Sequence, residues 1–215
     1  MTGEAAPIER EIKLSAPPAL VLPDLSDLAP GGLHDSGMEP YETVYWDTAE
    51  LDAARRSFGL RHRRRRDRPG TAGIWTLKLP GHVAADRVVR GEHEVAGDAV
   101  TLPRDLLDLL PGEVDPAALR PVAVLHADRR VLSLGSPREG GVEVMDDRVE
   151  ILGPDGSVAD SFRELEIEVG EGGDPLADRV AARLRAAGAG APESLSKYGR
   201  ALRVLGHALP PGAEV

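Results

Sequence analysis

The sequence contains no cysteine, so neither disulfide bonds nor thiolate metal ligands contribute to this protein. Aromatic residues make up only 3% of its 215 residues, which argues against a platform of rings for stacking nucleobases. No apolar run approaches the roughly 20 residues that a membrane-spanning helix needs, and the N-terminus lacks the apolar core of a secretion signal. We therefore expect a cytoplasmic protein that binds no membrane.

The charge is acidic overall but unevenly distributed. A formal net charge of −10 argues against a general nucleic-acid binder, whose affinity depends on neutralising phosphates. The segment LRHRRRRDR, residues 60–68, is nevertheless strongly basic. A solvated strand or loop would explain this segment. A site for a polyanion would explain it equally, because guanidinium groups match the geometry of phosphate oxygens.

The order of the elements predicts a mainly β protein. Periodicity and turn residues predict strands at 7–15, 42–46, 60–66, 73–79, 87–95, 121–134, 141–151 and 158–169. They predict helices at 49–57, 103–110, 175–187 and 193–205, and a short broken helix at 17–29. About eight strands joined mostly as hairpins are typical of an antiparallel barrel or sandwich. We expect a single domain over 1–205 and a disordered tail at 206–215.

Charged residues alternate with apolar ones along at least five of these strands. In IEREIKL, residues 8–14, Glu9, Glu11 and Lys13 share one face of the strand. The same spacing recurs in four further groups: Arg61, Arg63 and Arg65; Thr76 and Lys78; Arg90, Glu92 and Glu94; and Glu164, Glu166 and Glu168. By the same parity, His62 and His93 face away from the charged side of their strands.

Two architectures accommodate this alternation. In a sandwich the apolar faces meet and the charges face water; in an inverted barrel the charges line a lumen and helices cover the apolar exterior. Triplets of like charge favour the lumen, because like charges crowded on an open strand are destabilising. Crowded carboxylates call for a hard divalent cation, Mg²⁺ or Mn²⁺, and the basic groups call for phosphates. Together they describe a polyphosphate site.

Seven motifs in order resemble the CYTH family, also called triphosphate tunnel metalloenzymes. IEREIKL is similar to the family's ExExK signature, and YWDT and LRHR to its Y-[FYW]-D-T and LRxR motifs. WTLK, RGEHE, ELEIE and SKYGRAL follow in the expected order, so the resemblance spans about residues 7–203. It implies an eight-stranded antiparallel barrel whose charged tunnel binds triphosphate and divalent metal. It also implies hydrolysis of inorganic, nucleoside or thiamine triphosphate, although a few members are adenylate cyclases.

The resemblance also assigns roles to residues. Metal would be held by Glu9, Glu11, Glu164 and Glu166, and by Glu143 and Asp147 in preference to Asp146, with Glu168 less firmly assigned. Phosphates would be bound by Arg61, Arg63, Lys78 and Arg90, and by Lys197 at one mouth of the tunnel. On the sixth strand, Arg129 is preferred to Arg130 for this role. Lys13 would contact phosphate and position or deprotonate water, acting with Glu9 and Glu11 in catalysis. Asp47 could serve simply as a helix cap.

Three functions remain open at this point. The leading hypothesis is metal-dependent hydrolysis of a terminal phosphoanhydride bond. A non-catalytic triphosphate- or polyphosphate-binding module is the first alternative, because His126 and Asp128 stand where relatives often carry further basic residues. Adenylate cyclase is the second, although the sequence shows no recognisable adenine pocket. Nothing in the sequence indicates an oligomeric state.

Overall fold

Eight antiparallel strands close into a barrel. The computed structural model describes residues 7–29, 31–84, 86–136, 140–191 and 195–208. Its strands are β1 Ile8–Ala16, β2 Leu33–Asp47, β3 Gly59–Arg65, β4 Gly73–Lys78, β5 His82–Ala84, β6 Arg87–Gly97, β7 Arg120–Leu134, β8 Val142–Leu152 and β9 Val158–Val169. Around the barrel they run β1-β9-β8-β7-β2-β3-β4-β6, and pairing of β1 with β6 closes the ring. The predicted mainly β, eight-stranded antiparallel barrel is confirmed. Of the tail predicted at 206–215, residues 209–215 lie outside the described chain.

The alternation is inside-out relative to an ordinary barrel, because the apolar face of the strands points outward. Helix α2, Asp174–Ala186, presents one apolar side to that face. Its residues Val180 and Leu184 pack against Ile12 and Leu165, all at most 1% exposed. Removing such side chains from water is worth roughly 1.5–3 kcal/mol each. An outer helix therefore supplies the core that the charged lumen does not.

A second apolar cluster covers the opposite side of the exterior. Leu60, Trp75 and Leu77 point outward from β3 and β4 and are at most 1% exposed. Leu106 of the short helix α1, Arg104–Leu107, packs on them. His62 also faces this side, with its ring 5.0 Å from that of Trp75. The predicted outward orientation of His62 is confirmed.

Helix α3, Lys197–Val204, does not cover the exterior. Its residues Ala201 and Leu202 pack against Leu125, Val149 and other apolar side chains. Those side chains share the inward face of β7 and β8, because Leu125 and Arg129 are an even number of residues apart. Helix α3 therefore enters one end of the barrel instead of covering its apolar exterior. Within the described residues, no helix is long and apolar enough to cross a membrane.

Several element boundaries differ from the prediction. The helix expected at 49–57 is a pair of turns with a 3-10 segment, Ala54–Arg56, because Leu51 and Ser57 adopt left-handed backbone angles, with φ of 59° and 61°. The broken helix expected at 17–29 is irregular apart from a 3-10 segment, Ser26–Leu28, since three prolines interrupt it. The helix expected at 103–110 shortens to α1.

Strand β2 is longer than its alternation suggested, and β5 was not predicted. Strand β2 starts at Leu33 and follows β7 over most of its length, with a register shift near Gly37, where φ is 74°. Strand β5 extends the edge of β4 along β6. Pro80 and Gly81 separate the two, and a proline cannot donate a ladder hydrogen bond. A three-residue strand is too short to show periodicity.

Candidate functional site

The barrel encloses the charged residues that the motifs singled out. Every one of them lies on the inward face of a strand or at the inner end of α3, in one connected network of ion pairs and electrostatic contacts. The acidic members are Glu9, Glu11, Glu143, Asp147, Glu164 and Glu166, and the basic members are Lys13, Arg61, Arg63, Lys78, Arg90, Arg129 and Lys197. Register explains the assembly, since Lys13 opposes Glu166 and Arg129 opposes Asp147 across neighbouring strands.

Lys197 is the centre of one acidic group. Its Nζ lies 2.5 Å from Glu164, 2.7 Å from Glu166 and 3.1 Å from Asp147. Burial alone would lower the pKa of this ammonium group, but the three carboxylates outweigh it and raise the pKa. Burial would likewise raise the pKa of Glu166, yet Lys197, Lys13 and Arg129 hold it well below its ordinary value. Lys197 and Arg129 also lower the pKa of Asp147 against the effect of burial, whereas burial raises the pKa of Glu164. Protein cations already pair with all three carboxylates.

A second group of ion pairs joins β1 to β4 and β6. Arg90 donates to Glu11 at 2.8 Å, and Lys13 lies 3.2 Å from the same carboxylate. Lys78 bridges Glu9, at 3.1 Å, and the neighbouring Glu92. Burial would lower the pKa of Lys13, but Glu11 and two further carboxylates raise it. Lys13 is therefore firmly protonated near neutral pH.

Two arginines carry positive charge that no acidic group pairs with in the described chain. Arg61 is buried and its Nε has no hydrogen-bond partner; burial would lower its pKa, but Tyr45, Glu92 and Glu9 nearby raise it. Arg63 makes only a long 3.4 Å contact with the hydroxyl of Thr43 and lies over the ring of Tyr41. Burial, with Arg61 and Arg129 nearby, lowers the pKa of Arg63 to about 9. Guanidinium groups without a direct ion pair inside the lumen favour an anionic ligand.

The opposite charge accumulates around Glu168. Burial raises its pKa to about 7, with contributions from Glu9, Glu143, Glu11 and Glu92. The side chain is nevertheless exposed to solvent, which screens the repulsion from its neighbours. Glu143 beside it accepts a hydrogen bond from Ser133 at 3.0 Å, and burial also raises the pKa of Glu9. A cation would relieve this crowding.

The donor chemistry of the lumen fits a hard divalent cation. Carboxylate oxygens are the ligands that Mg²⁺ and Mn²⁺ prefer, and Glu168 forms no ion pair within the described residues although four other carboxylates lie near it. In the described residues, however, no three acidic or histidine side chains converge in a metal-holding arrangement. Lysine and arginine side chains bind most of these carboxylates instead, so a metal would have to displace at least some of them.

Several charges that sequence reasoning weighed lie on the exterior. Asp146 pairs with Arg163 at 2.7 Å, and Arg130 pairs with Asp35 at 2.5 Å. These orientations agree with the preference for Asp147 and Arg129 as inward residues. His126 contacts Glu42, and Asp128 binds Arg66, both on the outer surface. The unusual pair His126 and Asp128 therefore leaves the inward face of β7 unchanged, so it no longer supports the binding-module alternative.

The sequence held a signal for the lumen that the alternation analysis missed. The chain has 26 lysines and arginines, and only three of them are lysines: Lys13, Lys78 and Lys197. All three ammonium groups lie in the lumen. A compact ammonium group accommodates several carboxylates where a planar guanidinium group would not fit. The scarcity of lysine in an arginine-rich chain thus marked the interior.

An opening connects the lumen with the surface beside α3. Arg61, Lys78, Arg90, Phe58 and Leu202 are among the residues that line it. The opening lies between α3 and the turn that precedes β3.

A closed antiparallel barrel with an apolar exterior and a lumen of paired acidic and basic side chains defines a tunnel protein for charged ligands. The chain belongs to the CYTH family, because the CYTH domain model matches residues 7–196. No curated protein matches the sequence significantly.

Solved structures of similar fold cover nearly the whole chain. One is a candidate adenylyl cyclase from Hippeastrum described as having a dominant triphosphatase activity, with 19% identity, a TM-score of 0.62 and coverage of 94% of this chain and 98% of that one. Another is a candidate adenylate cyclase from Bacillus halodurans, with 17% identity, a TM-score of 0.58 and coverage of 92% and 98%. A Pyrococcus horikoshii protein has 19% identity, a TM-score of 0.56 and coverage of 91% and 98%. At these identities the similarity establishes the fold.

Proposed function

We propose that this protein is a divalent-metal-dependent triphosphatase that hydrolyses the terminal phosphoanhydride bond of inorganic, nucleoside or thiamine triphosphate. The observation that carries the proposal is that charged groups of both signs without a direct ion pair share one lumen. Arg61 and Arg63 form no ion pair within the described chain, and Glu168 forms none either, although four other carboxylates lie near it. A linear polyanion accompanied by a divalent cation satisfies both groups at once.

The basic side chains would bind and orient the phosphates. Arg61 and Arg63 offer unpaired guanidinium groups, and Arg129 is shared between Asp147 and Glu166. The remaining donors in the proposal are Lys78, Arg90 and Lys197. Fixed donors at these positions would hold the phosphate chain in line and stabilise charge that develops on the leaving group.

Carboxylates would hold the cation, Mg²⁺ or Mn²⁺. The proposed ligands are Glu9, Glu11, Glu143, Asp147, Glu164 and Glu166. When bound, the cation supplies positive charge that polarises phosphate oxygens and makes water more acidic. Lys13, held between Glu11 and Glu166, is protonated because those carboxylates raise its pKa. This charge state favours Lys13 as a group that positions water or phosphate over one that removes a proton.

A substrate panel tests the proposal. The purified protein would be incubated with Mg²⁺ or Mn²⁺ and inorganic triphosphate, ATP or thiamine triphosphate, while orthophosphate and cyclic AMP are both measured. We expect metal-dependent release of orthophosphate, and its loss in Glu9→Ala and Glu11→Ala. Arg63→Ala and Arg64→Ala form a matched pair, because Arg64 lies on the outer face of the same strand and binds Glu42. Absence of turnover sensitive to the lumen variants would contradict the proposal.

A binding module without turnover is the second candidate. One observation favours it: Lys197 already occupies the space among Glu164, Glu166 and Asp147, where a catalytic metal would otherwise fit. Calorimetry showing tight triphosphate binding, beside undetectable hydrolysis in the panel, would establish this function. Cyclic AMP as the main product from ATP would instead establish an adenylate cyclase.

A further inference from the structure

The carboxylate of Asp47 lies outside the ion-pair network and has no role in the proposed chemistry. It is fully buried, and no lysine or arginine of the described chain pairs with it. It accepts hydrogen bonds from the backbone N–H groups of Thr48, Ala53 and Ala54 at 2.7, 2.9 and 2.9 Å. The hydroxyl of Tyr198 donates a fourth bond at 2.9 Å. A buried carboxylate held by neutral donors is costly unless every bond forms.

These four bonds connect two elements that supply charge to the lumen. The backbone donors belong to the turn that leads into β3, where Arg61 and Arg63 lie. Tyr198 is the second residue of α3 and follows Lys197 directly. Asp47 therefore ties the start of the arginine strand to the helix that carries Lys197.

The ring of Tyr198 reinforces the connection. It stacks on the ring of Tyr45, with the centroids 4.5 Å apart and the planes 5° from parallel. Burial and the neighbouring Asp47 raise the pKa of Tyr198, so its hydroxyl stays protonated and donates. Two separate contacts, a hydrogen bond and a stacked ring, thus fix one side chain.

We propose that Tyr198, acting through Asp47, is a positioning residue that holds the ammonium group of Lys197 inside the lumen. Helix α3 has only eight residues, below the roughly 12–15 at which an isolated helix becomes even marginally stable. Its orientation must therefore come from contacts such as these. The inference rests on the proposed function only where it assigns a phosphate to Lys197, because the position of Lys197 is measurable without substrate.

Labelling of amines tests that position directly. Tyr198→Phe removes the hydroxyl and retains the stacked ring. Because a hydrogen bond to a charged group is lost, we expect acetylation of Lys197, followed by mass spectrometry, to accelerate roughly tenfold relative to Lys13 and Lys78. The two other lysines are internal references in the same lumen. Tyr45→Phe is the matched control, since it removes a hydroxyl from the partner ring and should leave labelling of Lys197 unchanged.

Affinity for inorganic triphosphate provides the second readout. Calorimetry should show a dissociation constant roughly tenfold higher in Tyr198→Phe, and no further loss when Tyr198→Phe is added to Lys197→Ala. Unchanged labelling of Lys197, equal acceleration at all three lysines, or additive losses of affinity would each overturn the inference. If the wild-type protein binds no triphosphate, the proposed function fails, while the labelling experiment still decides whether Tyr198 positions Lys197.

Discussion

At the scale of single residues, the lumen combines compensated and uncompensated charges. Lys197 and Arg129 satisfy the carboxylates around them, whereas Arg63 faces Arg61 and Arg129 without an acidic partner. Charge left without a partner costs stability in the ligand-free protein and is available to a ligand. Functional sites commonly hold such unfavourable arrangements, because the ligand supplies what the fold does not.

We predict that Arg63→Gln stabilises the ligand-free protein and weakens binding of triphosphate. Loss of the guanidinium group removes repulsion from Arg61 and Arg129, and it also removes a phosphate donor. Urea denaturation should show a higher free energy of unfolding, and calorimetry should show affinity reduced by about tenfold, the value of one charge-assisted hydrogen bond. The control is Arg64→Gln on the outer face. A variant that loses both stability and affinity would contradict the prediction.

Glu168 should make the stability of the metal-free protein depend on pH. Burial and neighbouring carboxylates raise its pKa from 4.5 to about 7, so between these values the folded protein holds a proton that the unfolded chain has released. The free energy of unfolding should therefore fall as pH rises through this window. In Glu168→Gln, which is neutral throughout, the fall between pH 5 and 7.5 should be smaller.

Urea denaturation at several pH values measures this slope. Glu150→Gln, a change on the exposed outer face of β8, is the control and should keep the slope of the wild type. An unchanged slope in Glu168→Gln would show that the carboxylates around Glu168 do not crowd it in solution.

At the scale of elements, the two longer helices pack on opposite faces of the barrel wall, α2 on the outer face and α3 on the inner face. Helix α2 packs on the outer apolar face of β1 and β9 through Leu184 and its neighbours. Helix α3 packs inside one end through Leu202, which also lines the opening to the lumen. One helix therefore supplies stability, and the other supplies both stability and part of the site.

Truncating one residue in each helix should separate these roles. Leu184→Ala and Leu202→Ala each remove a side chain that is at most 1% exposed, so each should lower the free energy of unfolding by about 2–5 kcal/mol. Calorimetry should find that only Leu202→Ala weakens triphosphate binding, because Leu184 packs on the outer apolar face while Leu202 lines the lumen cavity. Equal losses of affinity in the two variants would contradict this division.

The sequence predicted strands better than helices, for a physical reason. The alternation of charged and apolar residues along β1, β3 and β9 predicts strands correctly, because the barrel wall separates a charged lumen from an apolar exterior. Amphipathicity of α3 indicates that one face is buried, but it does not say whether the partner is inside or outside the barrel. The turn at 48–57 has a residue pattern typical of a capped helix. In the structure, however, Asp47 accepts hydrogen bonds from backbone N–H groups six and seven residues further along the chain. That pattern is not readable from local propensity.

At the scale of the whole molecule, closure of the ring makes the site possible. Strand β1 pairs with β9 along one edge and with β6 along the other, which brings Glu9 and Glu11 to the carboxylates near the end of β9. The membership of the lumen followed from parity in the sequence. The division into paired and unpaired charges did not, because it depends on which strands become neighbours.

Triphosphate should stabilise the whole barrel. A ligand that binds only the folded state at 100 times its dissociation constant adds about 2.7 kcal/mol, so thermal denaturation should shift upward with added inorganic triphosphate. The shift should shrink at high salt, which screens phosphate contacts, and should be lost in a variant that combines Arg61→Gln with Arg63→Gln. An equal shift in that variant would place the ligand elsewhere.

The confinement of lysine to the lumen has a consequence for how the barrel opens. Every bond that a lysine-specific protease can cut lies at the residues of β1, β4 and α3 that face the interior. Such a protease can act only when strands separate or α3 leaves its end of the barrel, since cleavage needs locally unfolded chain. The rate of cleavage at Lys197 would report local unfolding of α3, and the rates at Lys13 and Lys78 would report separation of strands in the barrel wall. The three lysines therefore report local opening at separate places in the barrel.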